Sequence, residues 1–288
     1  MKYILVGAVA YAPQIVPIWD IIREYANDYL KDIRLDYVLF SNYERQVQWL
    51  VEGKIDIAWN TNVAYIRASA EAGVEAILMR DTDIGFKSVF VSKDKVQSLK
   101  DLKGKKFGLG SLDSAQAAIM PLFYLQQNGF KLQEFPLPLL DTAKVENDSI
   151  GIFRFNSDVG KHGDTGKSEF EVLDKIISGE LDAGAIGSTT WMRVLQEGNY
   201  PQMTNFYTSP DYCHCNFTTL KGFDSTLKKS FITMMQSQNH LKDNPQIAHM
   251  MSLEGLNNWV LCDEKALRGY KEIIQAMKEQ RLMENIIA

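Results

Sequence analysis

The polar loop Gly160-Lys161-His162-Gly163-Asp164-Thr165-Gly166-Lys167-Ser168 is the first stretch whose residue types could do chemistry. It ends in Gly-Lys-Ser, the close of a phosphate-cradling P-loop. That loop also needs a glycine at position 161, where Lys161 stands, and Gly160 and Gly163 miss the register. The nucleotide-hydrolase reading fails on that residue. The physics behind it survives, because a glycine-rich polar loop opening a helix offers unpaired backbone N–H groups at a positive helix end, and anions bind there. The same residues would also serve as a solvent-exposed turn, with His162 on the surface.

A second cluster is Tyr212-Cys213-His214-Cys215-Asn216-Phe217. On a strand, alternation places Cys213 and Cys215 on one face and His214 on the other. Two thiols on one side suit a soft metal, so iron or zinc is a candidate cofactor with Cys213, His214 and Cys215 as candidate ligands. Zinc wants about four donors, and His162 or an aspartate would have to complete the set. The alternative is that both cysteines are small buried packing residues. Cys262 makes the count odd, and with the tight Cys-His-Cys spacing this argues against a disulfide framework and for a reducing compartment. No Ser-His-Asp triad is evident, and a binder needs none, so a binder and an enzyme both stay open on these residues. Were it an enzyme, His162, Cys213, His214 and Cys215 would carry the chemistry.

The elements that position these residues follow from an internal repeat. Val51–Arg67, VEGKIDIAWNTNVAYIR, aligns with Ile177–Arg193, ISGELDAGAIGSTTWMR, at a constant offset. Gly53 meets Gly179, Asp56 meets Asp182, Tyr65 meets Trp191 and Arg67 meets Arg193. Each copy reads as a helix ending at glycine, a short strand, and a polar turn that opens a new helix. Asp56 and Asp182 are expected to fix the strand ends through hydrogen bonds to local backbone. Trp59, Tyr65 and Trp191 flank the turns, where they would either stack on a ligand or pack in the core. The same strand–loop–helix order recurs in YILVGAVAYAPQIVPIWDIIREY and in KKFGLGSLDSAQAAIMPLFYLQQNGF. Pro17 and Pro121 fall early in the helices that follow, where a missing N–H costs little.

The chain is therefore α/β, with two units that each present two loop-to-helix starts. Ligands of open α/β sheets bind beyond the carboxyl ends of the strands. Met79–Val96 reads as a strand crossing from the first lobe to the second, and Asn205–Leu220 as the crossing back. The tail from Thr226 is helical in pattern. These readings give lobe one as residues 1–88 and 208–288, lobe two as 89–207, and a ligand cleft between them in a hinged clamshell.

Composition bounds the rest. The 288 residues are 45% hydrophobic and 23% charged, which suits one large or two medium domains. A net charge of −5 argues against a nucleic-acid partner. No apolar run reaches the roughly 18 residues of a membrane span. MKYILVGAV reads as a buried first strand rather than a signal segment, which implies a cytoplasmic chain, or a periplasmic or extracellular one if a leader was removed.

These features resemble the type II periplasmic solute-binding fold: a two-lobed clamshell of mixed sheets flanked by helices, with two crossover strands. Within it, the chain is similar to the phosphate, phosphite and phosphonate-binding proteins of ABC transporters. YILVGAVAYAP, GKIDIAWNTNVAY, LKGKKFGLGSLDSAQAAIMPLFYL, SGELDAGAIGS and the Ser209-Pro210 crossover carry the likeness. It implies a protein that captures a small oxyanion by hinge closure, with an ABC permease as partner. It also implies a Ser/Thr-rich anion loop, here Ser111, Ser114 and Gln116, in which Asp113 adds a negative charge that would repel a dianion. Tyr11, Tyr43, Asn60, Thr61 and Tyr65 correspond to first-lobe ligand positions. The longer second-lobe loop would bring Lys161, His162, Thr165, Lys167 and Ser168 to the ligand. More distantly, Cys213–Leu220 resembles the cysteine-rich run of yeast-type thiamine pyrimidine synthases, which would make the chain a cytoplasmic metal- or thiol-dependent enzyme. A ligand sensor on the same fold is a further alternative.

Overall fold

Two aspartates anchor equivalent strand ends in the computed structural model, which describes residues 1–10, 13–93, 96–155 and 167–283. Asp56 gives its N–H to the Leu5 carbonyl at 2.9 Å and accepts the Leu5 N–H on Oδ2 at 2.8 Å. Asp182 treats Lys106 in the same way, at 3.0 and 2.9 Å. The partner in both cases is a neighbouring parallel strand rather than local backbone. A short acidic side chain placed just before a strand can reach across, because its own peptide already lies in the ladder. In each copy the preceding helix ends at a glycine with positive φ, +68° at Gly53 and +85° at Gly179. Only a residue without a Cβ adopts that turn cheaply.

The chain divides into two compact units, Met1–Gly85 with Tyr212–Ile274, and Phe86–Asp211 with Gln275–Gln280. The first has strands β1 (Lys2–Val9), β2 (Ile33–Phe40), β3 (Ile57–Asn60) and β4 (Val74–Arg80), and helices α1 (Ile15–Tyr29), α2 (Tyr43–Val51) and α3 (Asn62–Glu71). The second has β5 (Ser88–Ser92), β6 (Lys106–Leu109), β7 (Lys131–Phe135), β8 (Ser149–Arg154), β9 (Ala183–Gly187) and β10 (Thr204–Thr208), with α4 (Met120–Gln127), α5 (Lys167–Ser178) and α6 (Ser188–Glu197). The first unit then resumes with β11 (Asn216–Leu220), α7 (Ser225–Ser237), α8 (Pro245–Glu254), β12 (Trp259–Leu261) and α9 (Glu264–Arg268), before α10 (Lys271–Glu279). The tail is thus helical apart from β12, which pairs antiparallel with β4.

Each unit is built on a mixed sheet. The first runs β12-β4-β11-β3-β1-β2 and the second β10-β5-β9-β6-β8-β7. β11 lies antiparallel between β3 and β4, and β5 lies antiparallel beside β9. Both stretches read as single crossing strands contain two strands with irregular chain between them: β4 and β5 in one, β10 and β11 in the other.

Phe217 of β11 centres the first core, with ring centroids 4.6 Å from Trp59, 5.1 Å from Phe231 and 5.5 Å from Trp259. Met234, Met235, Met250 and Met251 fill in around it. In the second unit β5 is buried on both faces, with Val89 and Val91 in one cluster and Phe90 in the other.

The aspartate clamps carry a stability prediction. Asp56→Ala and Asp182→Ala each leave a strand N–H without its acceptor, and each should cost about 1–2 kcal/mol. Urea unfolding measures this, and an unchanged midpoint in both variants would refute the clamp.

Candidate functional site

The second unit holds the better-formed cluster of anion donors. β6 ends at Leu109, and Gly110-Ser111-Leu112-Asp113-Ser114 turns the chain into a π-helical segment, Ala115–Ile119, that continues as α4. Ser114 caps this helix, accepting the Ala117 N–H on Oγ at 3.2 Å. Ser168, near the start of α5, accepts from the Ser111 N–H at 3.3 Å and from the Ser111 hydroxyl at 3.4 Å. Among the described residues, neither the Ser114 nor the Ser168 hydroxyl has an acceptor for its own proton. All three serines are buried, at 1–2% exposure. An anion reaching them leaves water behind, where hydrogen bonds to charge are strong. A Cβ on Gly110 would lie 2.7 Å from the Ala117 Cβ and 3.1 Å from Ser168 Oγ, so glycine lets the two helix starts approach.

Glu169 braces this arrangement. One carboxylate oxygen accepts from Gln116 Nε2 at 3.3 Å and the other from the Gly187 N–H at 2.8 Å, at the head of α6. Gly187 is itself required by contact, since a Cβ there would lie 2.8 Å from Gln116 Cγ. Three helix starts are thereby tied together, and Gln116 is part of the tie. The sequence reading passed over Glu169. Its one signal is an acidic residue in the first turn of a helix, which is common for reasons of helix dipole alone. Lys167 is exposed and lines a groove of about 910 Å³ with Phe170, Asp174, Arg193 and Tyr200. Tyr11, Lys161, His162 and Thr165 lie outside the described residues.

Of the first-unit candidates, Asn60 belongs to a buried polar chain. Gln46 Nε2 donates to Asn60 Oδ1 at 2.8 Å, Asn60 Nδ2 to Thr218 Oγ1 at 3.0 Å, and Thr218 to Asn216 Oδ1 at 2.7 Å. Asn216 Nδ2 then donates to the Tyr270 hydroxyl at 3.0 Å, which donates to the His214 carbonyl at 3.2 Å. Asn60 is an internal link here. Thr61 caps α3 through the Ala64 N–H at 3.4 Å, and the neighbouring Asn62 donates to the Cys213 carbonyl at 3.0 Å. Tyr43 is buried in the core around Leu50 and Ile55. Tyr65 packs its ring 4.9 Å from Tyr270, and burial raises its phenol pKa. Trp59 is core, and Trp191 is half-buried against the second-unit core.

The Cys-His-Cys segment is not a strand: residues 213–215 precede β11, and the two thiols diverge. Cys213 Sγ donates to the Ala266 carbonyl at 3.0 Å, while Cys215 Sγ lies 3.0 Å from His214 Nδ1. Asp83, His214 and Cys215 do place three donor atoms within 4.8 Å of one another. Asp83, however, already receives Arg80 Nε and Nη2 on its two oxygens at 2.7 and 2.8 Å, and the Cys215 N–H at 3.1 Å. Among the described residues, a metal here would share the Asp83 carboxylate with a guanidinium and gain two further donors, His214 and Cys215. That set forms a hydrogen-bonded brace and falls short of the about four donors zinc wants.

Burial alone would raise the Asp83 pKa, but the Arg80 guanidinium outweighs it and holds the carboxyl at about 2. An acid depressed on folding adds stability that is complete above its unfolded value near 4 and is lost as pH falls through its folded value. Thermal melts should therefore weaken steeply between about pH 4 and pH 2. Asp83→Asn should flatten that slope and cost about 3–5 kcal/mol at neutral pH, because the buried guanidinium loses its two-pronged carboxylate and keeps Glu254. An unchanged acid profile in the variant would refute the assignment.

Comparison with known proteins agrees with this architecture. Residues 8–258 match the family of ABC transporter, phosphonate, periplasmic substrate-binding proteins. A probable ABC transporter phosphite binding protein, PhnD1 of Prochlorococcus marinus strain MIT 9301, is 23% identical over 265 residues, covering 87% of this chain and 81% of that protein. The structure of PhnD1 with methylphosphonate superposes with a TM-score of 0.69 at 19% identity, over 97% of this chain and 98% of that one. XAC2383 of Xanthomonas citri bound to ATP gives 0.76 at 14% identity, over 98% and 99%. At such identities the superpositions establish the fold, that of the type II periplasmic binding proteins.

Proposed function

The chain belongs to the family of periplasmic phosphonate substrate-binding proteins of ABC transporters, and from that premise we propose that it captures a small phosphorus oxyanion of the phosphite or methylphosphonate class on the Ser111, Ser114 and Ser168 hydroxyls. The observation that supports this most directly is the pair of spare hydroxyl protons, on Ser114 and Ser168, set at two adjoining helix starts. Those groups offer O–H donors and positive helix ends, and the Ser111 hydroxyl lies within the same cluster. Neutral donors of this kind hold an oxyanion without transferring a proton to it, as reversible capture requires.

Delivery to an ABC permease, and a periplasmic location, go with the same reading. Among the described residues no helix is long and apolar enough to cross a membrane. A catalytic role for the Cys-His-Cys segment has less behind it, because the buried thiols and imidazole face the Arg80–Asp83 pair and the Ala266 carbonyl.

Isothermal titration with phosphite, methylphosphonate, phosphate and sulfate tests the proposal. Ser114→Ala and Ser168→Ala should each weaken the preferred anion by about tenfold, the loss expected for one hydrogen bond to charge. Wild-type affinity in both variants would sink the serine seat.

A further inference from the structure

The turn that presents these serines is π-helical, and the sequence contains the reason. The Ile119 N–H bonds the Ser114 carbonyl at 3.0 Å and the Met120 N–H bonds the Ala115 carbonyl, both five residues back. The next residue is Pro121. In an α-helix its N–H would bond the carbonyl of Ala117, but proline has no N–H, and its ring clashes with the carbonyl four residues earlier. The Ala117 carbonyl is thereby left outside the α ladder. It is taken at 2.8 Å by the N–H of Gly110, the first residue after β6. Gly110 adjoins Ser111, whose N–H and hydroxyl meet Ser168, and a Cβ on Gly110 would strike both Ala117 and Ser168.

We infer that Pro121 is a positioning residue for the anion seat: by denying Ala117 its helical donor, it keeps that carbonyl for Gly110 and so fixes the turn carrying Ser111 and Ser114. Proline here does more than sit harmlessly in a first helical turn. It stands seven residues after the cap, just past the π segment, and sets the end of β6 through one hydrogen bond. This inference rests on the serine-seat reading, and it concerns a buried residue that does not touch the ligand.

Pro121→Val restores the N–H with the same number of side-chain carbons, and Pro121→Ala restores it with a smaller side chain. In both, the residue-121 amide should compete for the Ala117 carbonyl and relax the segment toward α-helix. Two quantities are read on the full chain. Amide hydrogen exchange at Gly110 should accelerate at least about tenfold, because its acceptor is lost to the helix. The Kd for methylphosphonate or phosphite should rise by about tenfold in both variants, while the melting temperature of the valine variant stays within a few degrees of wild type. A packing role would instead lower the melting temperature, most in the alanine variant, without changing Gly110 exchange in the valine one. Unchanged Gly110 exchange in both overturns the inference, as does accelerated exchange with wild-type affinity. Should the wild-type protein bind none of the anions, the serine-seat reading itself has failed, and the seat role of Pro121 falls with it. The exchange at Gly110 then still reports separately whether the proline sets the turn.

Discussion

Burying the Arg80 guanidinium is the constraint around which the first unit is arranged. An isolated buried cation is very costly, so its partners must be present and well aimed. Asp83 supplies a two-pronged acceptor, Glu254 adds a side-chain oxygen at 3.1 Å and its own carbonyl at 2.7 Å, and the Trp59 ring lies 5.3 Å from the guanidinium carbon. Each contact pins a different element: the turn after β4, the end of α8 and strand β3. Asp83 also accepts the Cys215 N–H on its side chain and the His214 N–H on its carbonyl. The chain leaving the first unit near Gly85 and the chain re-entering it at Tyr212 are thus joined through one carboxylate. The Cys-His-Cys segment owes its conformation to that joint, which explains why its thiols serve no common face.

The buried polar chain extends the same order across the sheet. It begins where Tyr270 bonds the His214 carbonyl and ends at Gln46 in α2, passing through Asn216, Thr218 and Asn60. Buried polar groups are costly unless partnered, so this network, in which Gln46 Oε1 is left over, favours one arrangement of its strands. Here the network favours β11, arriving from the far end of the chain, beside β3. Hydrophobic burial alone would not distinguish β11 from another apolar strand at that place. Tyr270, whose phenol is pushed up strongly by burial, keeps its proton to donate.

How much of this was legible depended on the range of each interaction. The repeat was readable because glycine C-caps, short strands and polar helix starts are local features, and the family likeness followed from their order. The aspartate clamps were half-readable: Asp56 and Asp182 marked the strand ends, but their partners Leu5 and Lys106 lie on other strands. The Arg80–Glu254 contact spans 174 residues and the Asn60–Thr218 contact 158, and no spacing rule joins such pairs. The one visible trace was the density of Asn and Thr in an otherwise buried strand, Asn216-Phe217-Thr218-Thr219. The cysteines misled because period-two alternation was applied to three residues that precede the strand. Pro121 was noticed, but its consequence required knowing that Gly110 would face Ala117.

The two copies of the repeat share a frame and have diverged where their helices start. Under the offset that aligns Asp56 with Asp182, Thr61 aligns with Gly187, Asn42 with Ser168 and Tyr43 with Glu169. In the first unit the caps serve their own helices: Asn42 accepts the Arg45 N–H, and Thr61 accepts the Ala64 N–H. In the second unit the cap of α6 is a glycine without a side chain, and the Glu169 carboxylate reaches the Gly187 N–H from α5 instead. Ser168 faces Ser111, across from its own helix. The α6 cap has lost its side chain, and a carboxylate from the neighbouring helix has taken up the amide it would have accepted. The shared frame gathers the helix starts in both units, and the side chains placed at those starts decide which backbone amides they serve.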